Sequence, residues 1–288
     1  MLTLNKRPLH VFSSKLRWRR QPVEWMKEKW IADFTKPEKS CFDIKPEISY
    51  NAYIEKGSSS KKSALFLGLK KKNRMAWLET VHRVYVDQII DARFRFDNSE
   101  GYCAAGIMFR VTGQGSYYLA LISSKGYFRL DAVNNNIPRP LIGWTEAPGL
   151  NGCAANLKMI ARGEHLIFFL NGKWLAEAHD ASIPGGHLGF ALVSYDGEDT
   201  SKNAEEEYAC RAWLDFLAVD SRARVVETEY RKWNDNIEIS AENRFHLAES
   251  LAALGYFEAA YNQILKAWKR REEAIKSITA TYTETRNR

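Results

Sequence analysis

The chain has 288 residues, of which 45% are hydrophobic, 27% charged and 12% aromatic, with nine Trp. That length gives one large domain plus a small one, or two domains, and the aromatic content supplies material for a substantial core. The net charge of +7 favours anionic partners without singling out nucleic acid, and no apolar run approaches the ~20 residues needed to cross a bilayer.

Residues 1–30 form a basic and aromatic segment in which Arg17, Arg19 and Arg20 flank Trp18. Interleaved basic and aromatic residues suit a nucleic-acid or membrane-surface arm. The plainer expectation is a segment that packs its Trp on the rest of the chain, with Val23 to Trp30 as a short helix. No apolar h-region follows the basic start. As written, the chain is expected in the cytoplasm, or exported if a leader has been removed.

From Ile31 to about Asp220 the grammar is that of short strands. Ile31 to Phe34 reads as a first strand. Tyr50, Ala52 and Ile54 alternate with Asn51, Tyr53 and Glu55, the mark of a half-buried strand. Ala64 to Leu69 and Met75 to Leu78 follow. Within Val84 to Asp97, Ile90, Ala92, Phe94 and Phe96 share one face, while Asp91, Arg93 and Arg95 share the other. Cys103, Ala105, Ile107, Phe109 and Val111 then alternate against Ala104, Gly106, Met108 and Arg110. Tyr117 to Ser123 and Tyr127 to Val133 continue the meander. Asn134 to Gly152, with two prolines and Trp144, reads as a long loop.

Leu166 to Leu170 and Lys173 to Glu177 flank Asn171-Gly172. Asn-Gly between two strand-like runs is the strongest short-range hairpin signal, because a type I′ turn needs positive φ at both central residues. Pro184-Gly185-Gly186 punctuates, Leu188 to Tyr195 is a further strand, and Asp196 to Glu207 is an acidic loop. Tyr208 to Val219 closes the series. Strands this short, spaced by turns, predict an all-β sandwich. Of four cysteines, Cys103 and Cys210 fall in strand-like runs and read as buried fillers, although four could also make two bridges.

After Asp220 the period becomes helical. Val225 to Trp233 is a first helix. Leu247, Ala248, Leu251 and Leu254 lead to a break at Gly255, beyond which Phe257, Ala260, Ile264 and Ala267 resume the pattern. Glu272 to Ile278 reads as a capping helix.

Two resemblances follow from these residues. The runs G-I-M-F-R-V, Y-Y-L-A-L-I-S, G-Y-F-R-L, N-L-K-x-I-A-x-G, F-L-N-G-K and G-G-H-L-G-F resemble concanavalin A-like jelly-roll sandwiches of the laminin-G-like and 3-keto-disaccharide-hydrolase-like kind. The tail L-A-x-x-L-x-x-L-G-x-F-x-x-A-x-x-x-I-x-x-A resembles one tetratricopeptide unit, a repeat of about 34 residues. The fold expected is therefore mainly β: a jelly-roll β-sandwich over 31–220, then a short helical tail over 221–288 for contact with another protein.

In that fold class the concave sheet is the usual ligand surface, so the resemblance implies a carbohydrate-like ligand. If strand pairing follows the meander, Arg93, Arg95, Arg110 and Arg129 share one outward face, with Tyr127 and Trp144 nearby. Guanidinium forks recognise carboxylate, sulfate or phosphate. The plainer reading pairs these arginines with Asp91, Asp131 and Asp215. The compact E-x-D-x-E strand motif of many jelly-roll glucanases is absent, as are a nucleophile elbow, a P-loop and HExxH. The expectation is a non-catalytic binding module for a carbohydrate or anionic ligand. A glycoside hydrolase of the keto-disaccharide kind and a protein-binding scaffold are the alternatives. His179 and His187 read as surface histidines, and no cofactor is expected, although Asp196-Gly197-Glu198-Asp199 could hold Ca²⁺.

Overall fold

The computed structural model describes residues 25–57, 62–97, 103–113, 115–148, 150, 154–195, 208–234 and 241–286. The N-terminal arm over 1–21 and the Asp196 loop with its calcium reading lie outside the described residues. Fourteen strands precede three helices. They are β1 (Lys29–Ile31), β2 (Tyr50–Glu55), β3 (Ala64–Leu69), β4 (Arg74–Glu79), β5 (Gln88–Phe96), β6 (Cys103–Thr112) and β7 (Ser116–Ser123). Then come β8 (Tyr127–Asn134), β9 (Ile137–Glu146), β10 (Ala154–Arg162), β11 (His165–Leu170), β12 (Lys173–His179), β13 (His187–Ser194) and β14 (Cys210–Asp220). The helices are α1 (Ala223–Asn234), α2 (Ala241–Ala253) and α3 (Phe257–Arg286).

The strands form two antiparallel sheets. The larger runs β12-β11-β10-β5-β14-β3-β2, with β1 also pairing to β14; the smaller, of six strands, runs β4-β13-β6-β7-β8-β9. The described residues form a two-layered antiparallel β-sandwich followed by a helical tail. Strict alternation builds it: Phe94 and Phe96 of β5 point inward with Phe109 of β6, Phe128 of β8, Phe168 of β11 and Phe190 of β13, all buried. Their rings meet across the layers, Phe128 on Phe168 at 5.1 Å and Phe94 on Phe190 at 6.2 Å between centroids. Each such side chain contributes roughly 1.5–3 kcal/mol of hydrophobic burial.

Two turns need the left-handed region. Asn171-Gly172 has φ of 50° and 81° and joins β11 to β12 with Leu170 opposite Lys173, the hairpin expected from sequence. Asn135-Asn136 has φ of 51° and 64° and joins β8 to β9. The segment read as a loop from Asn134 to Gly152 is therefore largely strand. Its Pro138 and Pro140 lie on the edge of the smaller sheet, where a missing N–H breaks no ladder bond.

Other expectations change. Val23 to Trp30 is not a helix over its described part: Lys29–Ile31 is a strand, with Trp30 opposite Val219, and Ile31 to Phe34 is not the first strand beyond Ile31. Cys103 and Cys210 are buried but not mere fillers. They form a disulfide that ties β6 of one sheet to β14 of the other, closing a separation of 107 residues. Glu272 to Ile278 is not a separate cap but part of the continuous α3.

The helices close one flank of the sandwich. α1 packs on the outer face of β10, while α2 packs on β9 and β12, bridging the edges of the two sheets. α2 stops at Gly255, φ 81°. The Tyr256 N–H donates to Leu251 and the Gly255 N–H to Ala252, both at 2.9 Å. This is the paired C-terminal capping pattern that a left-handed glycine allows.

Candidate functional site

The six-stranded sheet has a wet face whose composition follows from register. Trp77 lies opposite Ala191, Ala191 opposite Gly106, Gly106 opposite Leu121 and Leu121 opposite Arg129. The Arg129 guanidinium lies 5.8 Å from the centre of the Trp144 ring. One row therefore crosses the whole sheet with a Trp at each edge and small or apolar residues between. Gly106 must be glycine, because a Cβ would sit 1.8 Å from the Ala120 carbonyl oxygen of the next strand. The parallel row runs Glu79, Gly189, Met108, Leu119, Asp131.

The large rings of this face converge. Trp77 and Tyr117 stand three strands apart, about 14 Å along a flat sheet, yet their ring centroids are 6.4 Å apart. Trp144 on β9 and Tyr195, just beyond β13, are four strands apart but meet edge-to-face at 5.6 Å. The large side chains lean inward over a floor of Ala104, Met108, Leu119, Leu121 and Ala191, all buried. Trp77, Tyr127 and Trp144 keep 40%, 40% and 37% of their surface in solvent. Beside the β4 edge a groove of about 530 Å³ is lined by Trp77, Glu79 and His187 together with Asp43, Lys45 and Glu47.

The polar groups of the face are few. Arg129 Nε donates to Asp131 Oδ2 at 2.7 Å. That bond raises the Arg129 pKa against the opposing effect of burial. The Asp131 side chain is 8% exposed, and its Oδ1 has no partner among the described residues. Burial pushes the Tyr195 phenol up to about 12, with Arg129 opposing and Asp131 adding to the rise. Tyr117 is raised by burial and then by Asp131. Both phenols keep their protons at neutral pH. The Trp77 indole N–H donates to Glu79 at 2.8 Å.

Of the six residues the sequence suggested, the structure brings three together here: Tyr127, Arg129 and Trp144. Arg93 and Arg95 lie on the outer face of the other sheet. Arg93 stacks over Phe216 at 4.6 Å and Arg95 over Trp213 at 4.4 Å. Arg95 also bonds Asp215 and Glu55, at 3.1 and 3.3 Å. Arg110 points the other way. The β6–β7 register shifts between Phe109 and Thr112, Arg110 takes φ of 52°, and its side chain turns into the core at 1% exposure. There it donates to the carbonyls of Val86, Ile183 and Gly163, at 3.1, 3.2 and 2.8 Å. The four arginines thus do not share a face, because β5 and β6, neighbours in sequence, belong to different sheets.

Sequence reasoning missed Trp77, Tyr117, Asp131 as a site residue, and Tyr195. Asp131 was within reach, being two residues from Arg129 on one strand and so on the same side. Tyr195 and Trp77 required the strand order.

For hydrolysis, two carboxyl groups must flank one bond at roughly 5–10 Å. Among the described residues, Glu79 and Asp131 are four strands apart, about 19 Å along the sheet, and Glu146 is about 13 Å along the strand direction from Asp131. Asp91 and Asp215 are on the other sheet. Among the described residues no group of three His, Cys, Asp or Glu could hold a metal ion. His179 is half exposed and stacks on His165 at 4.0 Å. No helix of the described residues is long and apolar enough to cross a membrane.

No family model matches the chain. A TPR repeat-containing protein of Treponema pallidum (strain Nichols) is 31% identical over 166 residues, which cover 58% of this chain and 19% of that protein. The chain thus spans about a fifth of the length of the curated relative it matches. Among solved structures it is similar to the carbohydrate binding module CBM66 from Bacillus subtilis, with TM-score 0.44, 15% identity and coverage of 60% of this chain and 96% of that one. It is also similar to the Bacillus licheniformis β-glucanase, with TM-score 0.42, 10% identity and coverage of 67% and 98%.

Proposed function

We propose that the wet face of the six-stranded sheet is a non-catalytic carbohydrate-binding surface. Trp77 and Trp144 are its end walls, Tyr117, Tyr127 and Tyr195 its further ring contacts, and the Arg129–Asp131 pair its polar element. The observation that carries this reading is the row from Trp77 through Ala191, Gly106 and Leu121 to Arg129 and Trp144. Aromatic rings standing over a buried apolar floor offer their exposed faces to the C–H surfaces of sugar rings, and a few placed polar groups orient the hydroxyls. Binding is favoured over the hydrolase alternative by the engagement of Glu79 with Trp77 and of Asp131 with Arg129. A glycan array on the whole chain, followed by Trp144→Ala and Trp77→Ala on each hit, tests it. Loss of binding in both variants is expected; unchanged binding in both rejects the face.

The helical tail supports a second reading, a protein-docking surface. Phe257, Tyr261, Leu265 and Trp268 of α3 are exposed, Phe257 at 72% and Trp268 at 62%, and they recur at helical spacing along one stripe. A contiguous apolar stripe of this kind marks an interaction surface. Partners captured by the chain should be lost with Trp268→Asp while glycan binding persists.

A further inference from the structure

We propose that this face selects neutral, hydroxyl-rich glycans and rejects sulfated or uronate-bearing ones, with Asp131 as the specificity-determining acceptor. The inference rests on the carbohydrate reading above and narrows it to a substrate class.

Arg129 is the guanidinium of this face among the described residues, and its charge is countered inside the protein: its Nε–H goes to Asp131 Oδ2 at 2.7 Å and it lies over the Trp144 ring. A guanidinium already paired with a carboxylate has little attraction left for a ligand anion. Against it the same face carries Glu79, Asp131 and Glu146, placed outward by their register with Gly189, Leu119 and Tyr127. The adjoining groove adds Asp43 and Glu47, with Lys45 hydrogen-bonded to Asp43 at 2.8 Å. The chain as a whole is +7, but this surface is locally negative, and a like-charged ligand is repelled there.

What the site lacks is a hydrogen-bond donor for Asp131. Its Oδ1 is buried and has no partner among the described residues, and a buried acceptor left unpaired costs free energy until something donates to it. Arg129 fixes the carboxylate's other oxygen, so Oδ1 is held in one orientation. A sugar hydroxyl supplies the missing donor. A sulfate ester or a uronate carboxylate offers acceptors only, and would set acceptor against acceptor.

The test prints neutral, sulfated and uronic-acid glycans of matched backbone on one array, probed with the whole chain. Neutral glycans are expected to bind. Their affinity should change less than about twofold between roughly 50 and 500 mM NaCl, because no net charge is exchanged. Asp131→Asn should weaken neutral binding about tenfold, the cost of losing a charged acceptor. It should also release Arg129, so that sulfated glycans gain a salt-sensitive signal that a merely structural defect would not create. A wild-type preference for sulfated or uronate glycans, or steep loss of binding with salt, overturns the selectivity, and neither measurement depends on a variant folding. If the anionic class binds and Trp144→Ala removes it, the face stands and the selectivity falls. If no class binds, both fall.

Discussion

The two sheets are built by the same alternation, yet their outer faces have different fates. On the larger sheet many of the charged side chains are engaged inside the protein. Lys158 and Arg162 of β10 reach Glu229 and Glu227 of α1, both at 2.7 Å. Glu177 of β12 disappears beneath α2 and α3, taking bonds from Arg244, Gln263 and Lys266 at 3.3, 2.8 and 2.7 Å. Beyond the helices, Tyr53, Phe66 and Trp213 stack among themselves under Arg95. On the smaller sheet no described helix lies over the centre, and the rings of Trp77, Tyr127 and Trp144 remain half in water. Charge alone did not distinguish the faces; an arginine with a carboxylate and a ring beside it is part of the wall. The informative difference is that helices cover much of one face and leave the rings of the other in water.

The largest effect expected acts on both faces together. The Cys103–Cys210 bridge joins the two sheets across a 107-residue separation. In the chain-entropy account its loss destabilises the fold by about 4–5 kcal/mol. Denaturant melts of the chain with and without reductant measure this, and an unmoved midpoint would show that packing alone holds the layers in register.

Arg110→Met separates the arginines by role. Arg110 satisfies three buried carbonyls, and Met leaves them without donors, a loss of about 3–4 kcal/mol. If the variant is instead as stable as the parent, the assignment of Arg110 to structure is wrong.

Glu177 tests the closed face. Burial acts to raise its pKa, but His165, Lys266, Arg244 and Gln263 together hold it far below the usual carboxylate range. A folded-state pKa depressed below the unfolded value of about 4.3 gives stability that is complete above that pH and is lost as pH falls. Amide exchange in α2 and α3 is therefore expected to quicken below about pH 4. Glu177→Gln should flatten that response and cost about 2–3 kcal/mol at neutral pH. The β8 and β9 amides around Arg129 and Trp144 are the internal control. If they respond in step with the helices, the clasp is not local.

The open face responds in affinity rather than stability. Trp144→Ala removes one end wall that is already 37% exposed. Glycan affinity should fall about 10- to 30-fold, equivalent to about 1.4–2 kcal/mol, while the melting midpoint moves little. A stability loss larger than the affinity loss would recast Trp144 as packing for Tyr195.

Much of the fold was legible because period-2 alternation and turn chemistry are local. The inward set Ile90, Ala92, Phe94, Phe96, the Asn171-Gly172 hairpin and the Gly255 break all follow from neighbouring residues. What stayed hidden is non-local. Nothing within β5 or β6 says that they pair with different strands, so Arg93 and Arg110 could not be assigned to opposite layers. The bulge that turns Arg110 inward shows no glycine at that position. Asn135-Asn136 was passed over because two prolines follow, although an edge strand tolerates them. The candidate site suffered most, since it is a row across six strands with one residue drawn from each. Only Arg129, with Asp131 two residues on, was readable within one strand.

The smallest effect is the one that most sharply separates the two faces. Arg93 sits on the exposed side of β5, its guanidinium 4.6 Å from the Phe216 ring. A cation–π contact at an exposed site contributes about 0.5–1 kcal/mol, so Arg93→Ala should lower stability by no more than that. Glycan affinity should stay within about twofold of the parent, below ~0.5 kcal/mol. The argument runs through geometry: Arg93 belongs to the eight-stranded sheet, and the whole thickness of the sandwich, about 10 Å between layers, separates it from Trp144. By sequence it is as good a ligand residue as Arg129, with the same alternation, the same type of strand and aromatic neighbours. If Arg93→Ala weakens glycan binding as much as Trp144→Ala does, the ligand engages the larger sheet, and the choice of face must be reversed.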